Sequence, residues 1–127
     1  MVEGMKMHYP SGELLSESVY ENGELHGPQI FFSRQGKILS ETLYVRGKKE
    51  GEAKQYYESG QLYSVQRYKE GQLHGRQEYY FSNGVPKSLM NYMEGELHGE
   101  IALYHASGKV KRTLLFDKGQ LLNDPLS

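Results

Sequence analysis

The sequence predicts an all-β fold, an elongated single-layer antiparallel meander of tandem 24-residue β-hairpin repeats. Three observations predict it: glycine recurs in columns, the segments between the glycines alternate in polarity as strands do, and helical periodicity is missing. Two strands per unit give about ten strands, which at ~4.8 Å each would span roughly 45–50 Å. One layer cannot bury both of its faces, so we expect an exposed, partly apolar contact surface.

The glycine columns set the period. The first column is Gly12, Gly36, Gly60, Gly84 and Gly108; the second is Gly23, Gly47, Gly71, Gly95 and Gly119; the third is Gly27, Gly51, Gly75 and Gly99. Every step is 24 residues, so no insertion interrupts the array. We interpret these glycines as structural, because turns need backbone conformations that other residues avoid. The array fills residues 1–127 as a single domain, with units at about 4–26, 27–50, 51–74, 75–98 and 99–122 and a short tail at 123–127.

Other residue types follow the same period. Two aromatic columns are assigned structural roles: Tyr20, Tyr44, Tyr68 and Tyr92 with Phe116, and Tyr56, Tyr80 and Tyr104 with Phe32. A leucine column (Leu14, Ile38, Leu62, Val110) has Pro86 in the fourth unit. A serine column (Ser16, Ser40, Ser64, Ser88) has Arg112 in the last unit. Pro86 lacks a backbone donor, so a bulge or an interruption is expected there.

Each unit is read as a hairpin, for which the third is representative. It has a short strand (Ala53–Tyr57), a tight turn (58–61), a longer strand (Leu62–Lys69) and a connecting loop (70–75). In the fourth unit Asn83-Gly84 is a hairpin turn signal, since both residues tolerate positive φ.

Alternation along the longer strand predicts which residues share a face. Leu62, Ser64, Gln66 and Tyr68 are expected on the packed face, and Tyr63, Val65 and Arg67 on the other. The serine column would leave space beside the tyrosine rings of neighbouring units.

The unit Gly-x-Leu-x-Ser-x-x-x-Tyr-x-x-Gly-x-Leu-His-Gly-x-x-x-x-Tyr resembles a MORN repeat, most strongly at Tyr68–Gly84 and Tyr92–Gly108. The resemblance runs from about Met5 to about Asn123, and the second unit departs from it with Lys49-Glu50 in place of Leu-His. The chain has no Trp, whereas the common eukaryotic repeat carries one, so it is more similar to the bacterial variant found in YwqK-family antitoxins. The resemblance implies a hairpin array with a binding role: scaffolding, dimerisation, contact with membranes or phosphoinositides, or toxin neutralisation.

Composition excludes several functions. With 15 basic and 16 acidic residues the formal net charge is -1, which gives no electrostatic reason to expect nucleic-acid binding. Cysteine is absent, which excludes disulfides, thiol catalysis and thiolate metal ligation. The first nine residues do not resemble a signal peptide, and no stretch is apolar enough for a membrane helix, so a cytoplasmic location is expected.

No catalytic, metal or cofactor site is predicted. His26, His74 and His98 share one column, but adjacent units are about 10 Å apart, too far for histidines to share a zinc ion. The serines recur identically, whereas a catalytic site needs one asymmetric cluster. The glycines lack the Lys and the helix of a phosphate loop.

The aromatic residues give the leading functional hypothesis. Tyr57 and Phe81 follow the Tyr56 column and must point to the opposite face, which Phe31, Tyr63 and Tyr79 join. Such aromatic richness exceeds what internal packing needs, and exposed Tyr and Phe anchor protein interfaces. We therefore expect a non-catalytic binding module or scaffold whose aromatic face captures a protein partner, in an antitoxin-like role or through self-association.

Two alternatives remain open. The clusters Arg46, Lys48, Lys49 and Lys109, Lys111, Arg112 could contact anionic lipid, with the first as the candidate site of a peripheral membrane adaptor. The exposed strands at either end of the sheet could instead join copies of the chain into a homo-oligomer.

Overall fold

A computed structural model describes residues 1–123, where every strand belongs to one antiparallel sheet. The strands are β1 (Val2–His8), β2 (Leu14–Glu21), β3 (Glu24–Leu25), β4 (Gly27–Phe32), β5 (Ile38–Val45), β6 (Lys48–Tyr56), β7 (Leu62–Lys69), β8 (Gln72–Leu73), β9 (Gly75–Tyr80), β10 (Pro86–Met93), β11 (Glu96–Leu97), β12 (Gly99–Tyr104), β13 (Val110–Asp117) and β14 (Gln120–Asn123). Residues 1–123 form no helix, and hence none that is long and apolar enough to cross a membrane. The predicted all-β fold is confirmed.

The sheet is a meander in which successive strands lie side by side. Its order is β1-β2-β4-β5-β6-β7-β9-β10-β12-β13-β14, while β3, β8 and β11 pair with β2, β7 and β10 as short first parts of the strands that follow them. The path is one strand longer than the expected ten, because β14 pairs with β13 at the end of the sheet. Of the predicted tail 123–127, Asn123 ends β14 and residues 124–127 lie outside the described range.

The first glycine column closes tight turns, as predicted. In the third unit the Gly60 N–H donates to the Tyr57 carbonyl at 2.9 Å, and the Tyr57 N–H donates to the Gln61 carbonyl at 2.8 Å. The matching Asn83 does not adopt positive φ, contrary to expectation. Its side chain instead accepts a hydrogen bond from the Val85 N–H at 3.0 Å, which stabilises the turn from within.

The second glycine column forms two-residue hairpins where the sequence indicated a connecting loop. Glu70 and Gly71 have φ of 50° and 85°, and Lys69 pairs directly with Gln72. Positive φ at both central residues defines a type I′ turn, whose twist matches that of the flanking strands. The segment 70–75 is therefore a hairpin followed by a strand, and the loop assignment was wrong.

Consecutive type I′ turns are hydrogen-bonded to one another. From the second unit onward, the N–H of the turn glycine donates to a carbonyl 22 residues earlier, in the preceding unit. The four bonds are Gly47 to Leu25 (2.7 Å), Gly71 to Lys49 (2.9 Å), Gly95 to Leu73 (3.0 Å) and Gly119 to Leu97 (2.8 Å). Backbone bonding thus continues along this edge from one unit to the next.

A β-bulge follows each turn of the first glycine column. In the third unit Tyr56 pairs with Leu62 and Gln55 pairs with Ser64, which leaves Tyr63 as an extra residue. The extra residues of the five units are Leu15, Leu39, Tyr63, Lys87 and Lys111. Pro86 does lie beside a bulge, but the other units have the same bulge without proline.

The bulge moves the leucine column to the other side of the sheet. Paired residues of neighbouring strands point to the same side, so Leu62 lies on the side of Tyr56 while Ser64 lies on the side of Gln55. The expectation that Leu62 and Ser64 share a face, with Tyr63 on the other, was wrong, because simple alternation does not allow for an extra residue. Tyr63 instead lies on the side of Ser64, where its ring contacts Tyr79, the partner of Ser64 in the next strand.

We call the side that carries the serine column the serine face and the other side the charged face. Among residues 1–122, the serine face holds most of the buried side chains: Ser16, Ser18, Ser64, Ser88, Ala53, Gln77 and Ile101. The third glycine column lies on this face opposite the tyrosine column, as in the pairs Gly51–Tyr68 and Gly75–Tyr92. The residues opposite these tyrosines on the serine face are therefore glycines, whereas the sequence had suggested that the serine column leaves space beside the rings.

Candidate protein-binding face

Three tyrosines of neighbouring elements meet on the serine face. The rings of Tyr57 and Tyr63 have centroids 5.1 Å apart at 80°, and those of Tyr63 and Tyr79 are 6.5 Å apart at 81°. Both contacts are edge-to-face, the arrangement that the charge distribution of aromatic rings favours. Tyr57 comes from the turn, Tyr63 from the bulge and Tyr79 from β9, so the bulge is what brings the rings together. We call these three residues the tyrosine cluster.

Hydrogen bonds hold the cluster in place. The Gln66 Nε2 donates to the Tyr79 hydroxyl at 2.8 Å, and the Tyr68 hydroxyl donates to Gln66 Oε1 at 3.1 Å. Burial raises the pKa of Tyr68, which favours the protonated hydroxyl that this chain of bonds requires. Tyr79 is consequently fixed at its hydroxyl, while Tyr63 keeps 37% of its surface exposed.

Tyr57 also connects two units. Its hydroxyl donates to the Tyr80 carbonyl at 2.8 Å, and Tyr9, two units earlier at the same position, donates to the Phe32 carbonyl at 2.6 Å. This repeated bond identifies Tyr57 as a structural residue as well as a candidate contact residue. Tyr63 is therefore the better residue for testing function.

The five predicted contact residues lie on one side of the sheet but not in one cluster. Phe31, 37% exposed, pairs with Ser16 and Ser40 on the serine face, two units away from Tyr79. Phe81 is half-buried at the next turn after Tyr57, with the Lys87 ammonium 5.8 Å from its ring centroid. The structure therefore brings Tyr57, Tyr63 and Tyr79 together, places Phe81 one unit further on and leaves Phe31 apart.

On the charged face, oppositely charged side chains pair with one another around Arg67. The Arg67 guanidinium lies 2.7 Å from a Glu78 oxygen and 3.0 Å from a Glu52 oxygen, and the Tyr80 hydroxyl donates to Glu78 at 2.9 Å. Burial disfavours the charged form of Glu78, but the hydrogen bonds from Arg67 and Tyr80 outweigh it and lower its pKa. These polar groups already have partners, so the charged face has little reason to bind a further ligand here.

The serine face differs in the sign of its charge. Between residues 51 and 116, no strand position on this face carries Asp or Glu, whereas Lys87, Lys111 and Arg112 lie there. Both lysines are exposed and occupy the bulge position that Tyr63 holds in the third unit. Sequence reasoning missed this row, although the 24-residue spacing of Tyr63, Lys87 and Lys111 is visible in the sequence once the bulge is known.

The predicted lipid site lies at the edge formed by the type I′ turns. Arg46 and Lys48 line a groove that also contains Glu24, Glu50 and Glu70. The Lys49 ammonium lies 5.0 Å from the ring centroid of Tyr68, on the serine face. Arg46 and Lys48 therefore lie among carboxylates, and Lys49 is directed to a tyrosine ring.

In the histidine column, His26 has a structural role at the same edge. The Arg46 N–H donates to His26 Nδ1 at 3.0 Å, and in the next unit Glu50 accepts from the Glu70 N–H at 2.7 Å in the same way. Glu50 thus takes the place of the histidine as acceptor in the second unit, where Lys49-Glu50 replaces the usual Leu-His pair. Within residues 1–123 no three His, Asp or Glu side chains are grouped so that they could hold a metal ion.

The chain matches the family model described as the MORN repeat variant at residues 5–22, 25–46, 49–70, 73–94 and 97–118. These five matches cover most of the chain, which therefore belongs to the MORN repeat variant family, as the sequence indicated. Repeats of this kind are a non-enzymatic type of module. They are generally associated with scaffolding and with binding to proteins or to membranes. No curated protein matches the chain.

Proposed function

We propose that this chain is a non-catalytic, cytoplasmic binding module that captures a protein partner on its serine face. The tyrosine cluster carries the proposal: its rings are half-exposed and lie in edge-to-face contact, and Tyr79 is held by Gln66. Aromatic side chains fixed before binding lose little conformational entropy on association, so they act as strong anchors. An antitoxin-like role, in which the partner is a toxin, is one form of this function and is supported by the resemblance to the bacterial variant.

The test is a pull-down with the tagged chain from the cells that express it, followed by calorimetry with the partner recovered. Tyr63→Ala removes the central ring of the cluster, and we expect it to weaken binding at least about 30-fold, as a hot-spot residue does. Tyr56→Ala is the matched control, because it removes a half-buried tyrosine from the charged face. It should change the affinity less than about 3-fold. Circular dichroism establishes that both variants are folded.

Two outcomes contradict the proposal. Full partner affinity in the Tyr63→Ala variant would show that the serine face is not the binding surface. Recovery of no partner, together with salt-sensitive binding to anionic vesicles that depends on Arg46, Lys48 and Lys49, would instead identify a membrane adaptor.

A further inference from the structure

We infer that the partner segment captured on the serine face is acidic and adopts the polyproline II conformation. In this arrangement it crosses the strands along the row of bulge residues Tyr63, Lys87 and Lys111. The inference rests on the proposed function and specifies the chemistry of the partner.

The first support is spacing. Two strand intervals separate Tyr63 from Lys87, through β7, β9 and β10, and two separate Lys87 from Lys111, through β10, β12 and β13. At ~4.8 Å per interval the row therefore repeats every ~9.6 Å. A polyproline II helix has three residues per turn and rises ~3.1 Å per residue, so every third side chain returns to the same side after ~9.3 Å. A segment with an acid at every third residue would place one carboxylate near each lysine.

The second support is charge. Lys87 and Lys111 are exposed, and Lys109 and Arg112 add positive charge beside Lys111. From residue 51 to residue 116, no strand position on the face of Lys87 and Lys111 carries Asp or Glu. The contact of Lys87 with the Phe81 ring holds its ammonium close to the sheet surface. A row of like charges without counter-charges on its own face is complementary to an acidic chain.

The third support is the aromatic start of the row. Proline-containing polyproline II segments dock on exposed aromatic side chains, and their backbone is already extended before binding. Tyr63 and Tyr79 supply such a surface one unit before Lys87. On the charged face in this region, the Tyr80 hydroxyl and Arg67 are both bonded to Glu78.

The experiment uses synthetic fluorescein-labelled peptides and fluorescence anisotropy with the full chain. The probe is a peptide of about five Glu-Pro-Pro units, and its control has the same composition with the glutamates gathered at one end. At about 0.15 M salt we expect the periodic peptide to bind at least ~10-fold more tightly than its control, because only the periodic peptide matches both lysines.

Charge variants locate the contact. Lys87→Glu with Lys111→Glu should weaken binding of the periodic peptide at least ~10-fold. Lys69→Glu with Arg76→Glu is the matched control: it reverses two exposed cations on the charged face and changes the net charge equally. That variant should stay within about 2-fold of the unmodified chain, since screening limits the effect of distant charges. All four substitutions fall on exposed side chains, so the variants should fold.

Equal affinity for the two peptides, or unchanged affinity in the Lys87→Glu, Lys111→Glu variant, would overturn the inference. Lysine-dependent binding to phosphatidylserine vesicles without peptide binding would overturn it too, in favour of a membrane surface. A natural partner that still depends on Tyr63 would in either case leave the proposed function standing, so the two can fail separately.

Discussion

In this sheet, the side chain of a single residue can replace backbone hydrogen bonds that are missing between neighbouring strands. β8 and β9 are separated at His74, so β7 has a gap in its ladder opposite Arg67. The buried side chain of Gln77 fills the gap: its Oε1 accepts from the Arg67 N–H at 2.7 Å, and its Nε2 donates to the Arg67 and Gly75 carbonyls at 3.1 and 3.2 Å. The Arg67 carbonyl also accepts from the His74 N–H at 2.8 Å, so the loss of Gln77 would chiefly leave the Arg67 N–H without an acceptor.

We expect Gln77→Ala to lower the free energy of unfolding by about 1–3 kcal/mol, because the Arg67 N–H loses its acceptor inside the sheet. Gln29 occupies the same position two units earlier but is only half-buried and makes a single bond to Ser18, at 3.1 Å. Gln29→Ala should therefore cost less, about 0.5–1.5 kcal/mol. Urea denaturation followed by circular dichroism measures both values. Equal losses would show that the bonds of Gln77 contribute nothing beyond those of an ordinary side chain.

At the scale of the hairpin, conformational constraints at glycine determine the turns. Gly71 has φ of +85°, and a Cβ there would meet the nearest atom, Lys48 Cβ, at 3.7 Å, which is an ordinary contact. The position therefore favours glycine for its backbone conformation and not for lack of space.

Gly71→Ala should lower the free energy of unfolding by about 1–2 kcal/mol, the cost of placing an L-residue in the left-handed region. Gly4 is the matched control: it lies within β1, has no positive φ and would present its Cβ to open space. Gly4→Ala is expected to change stability by less than about 0.5 kcal/mol or to increase it slightly. Thermal unfolding of the two variants gives the comparison, and an equally stable Gly71→Ala variant would contradict the conformational argument.

The glycine columns made the period, the sheet and the turns of the first column predictable, because a turn imposes its requirement on one residue. The second column was recognised, but its type I′ turns were mistaken for connecting loops. The bulge was not predictable from one strand. An extra residue such as Tyr63 is defined by the register with the partner strand, and a two-residue alternation carries no information about that register. The tyrosine cluster depended on the bulge, so the sequence supplied its members but not their contact.

At the scale of the whole molecule, the sheet leaves its first strand open. All seven residues of β1 are exposed. The Asn22 N–H donates to the Met1 carbonyl, so alternate residues point their backbone groups away from β2, and these include Gly4 and Lys6. Exposed Met5 and Met7 lie on the same strand. Charged residues on such an edge oppose pairing with another chain, which is the role we assign to Lys6.

Lys6→Val should therefore increase self-association, because it removes the charge from an open apolar edge. Lys69→Val is the control, since Lys69 is also exposed but lies at the end of β7, inside the sheet. Sedimentation velocity over a range of concentrations measures the mass of each variant. If Lys6→Val sediments as the unmodified chain does, β1 is not an edge through which copies associate.

The hydrogen bonds between successive type I′ turns restrict how such a chain can change in length. Each turn glycine bonds to a carbonyl 22 residues earlier, so one inserted residue between them would shift the donor away from its acceptor. Whole units of 24 residues can be added or removed without this mismatch, because every donor then finds an equivalent carbonyl. Growth of this chain in evolution is therefore expected to proceed by duplication of complete units, and its length to vary in steps of one repeat.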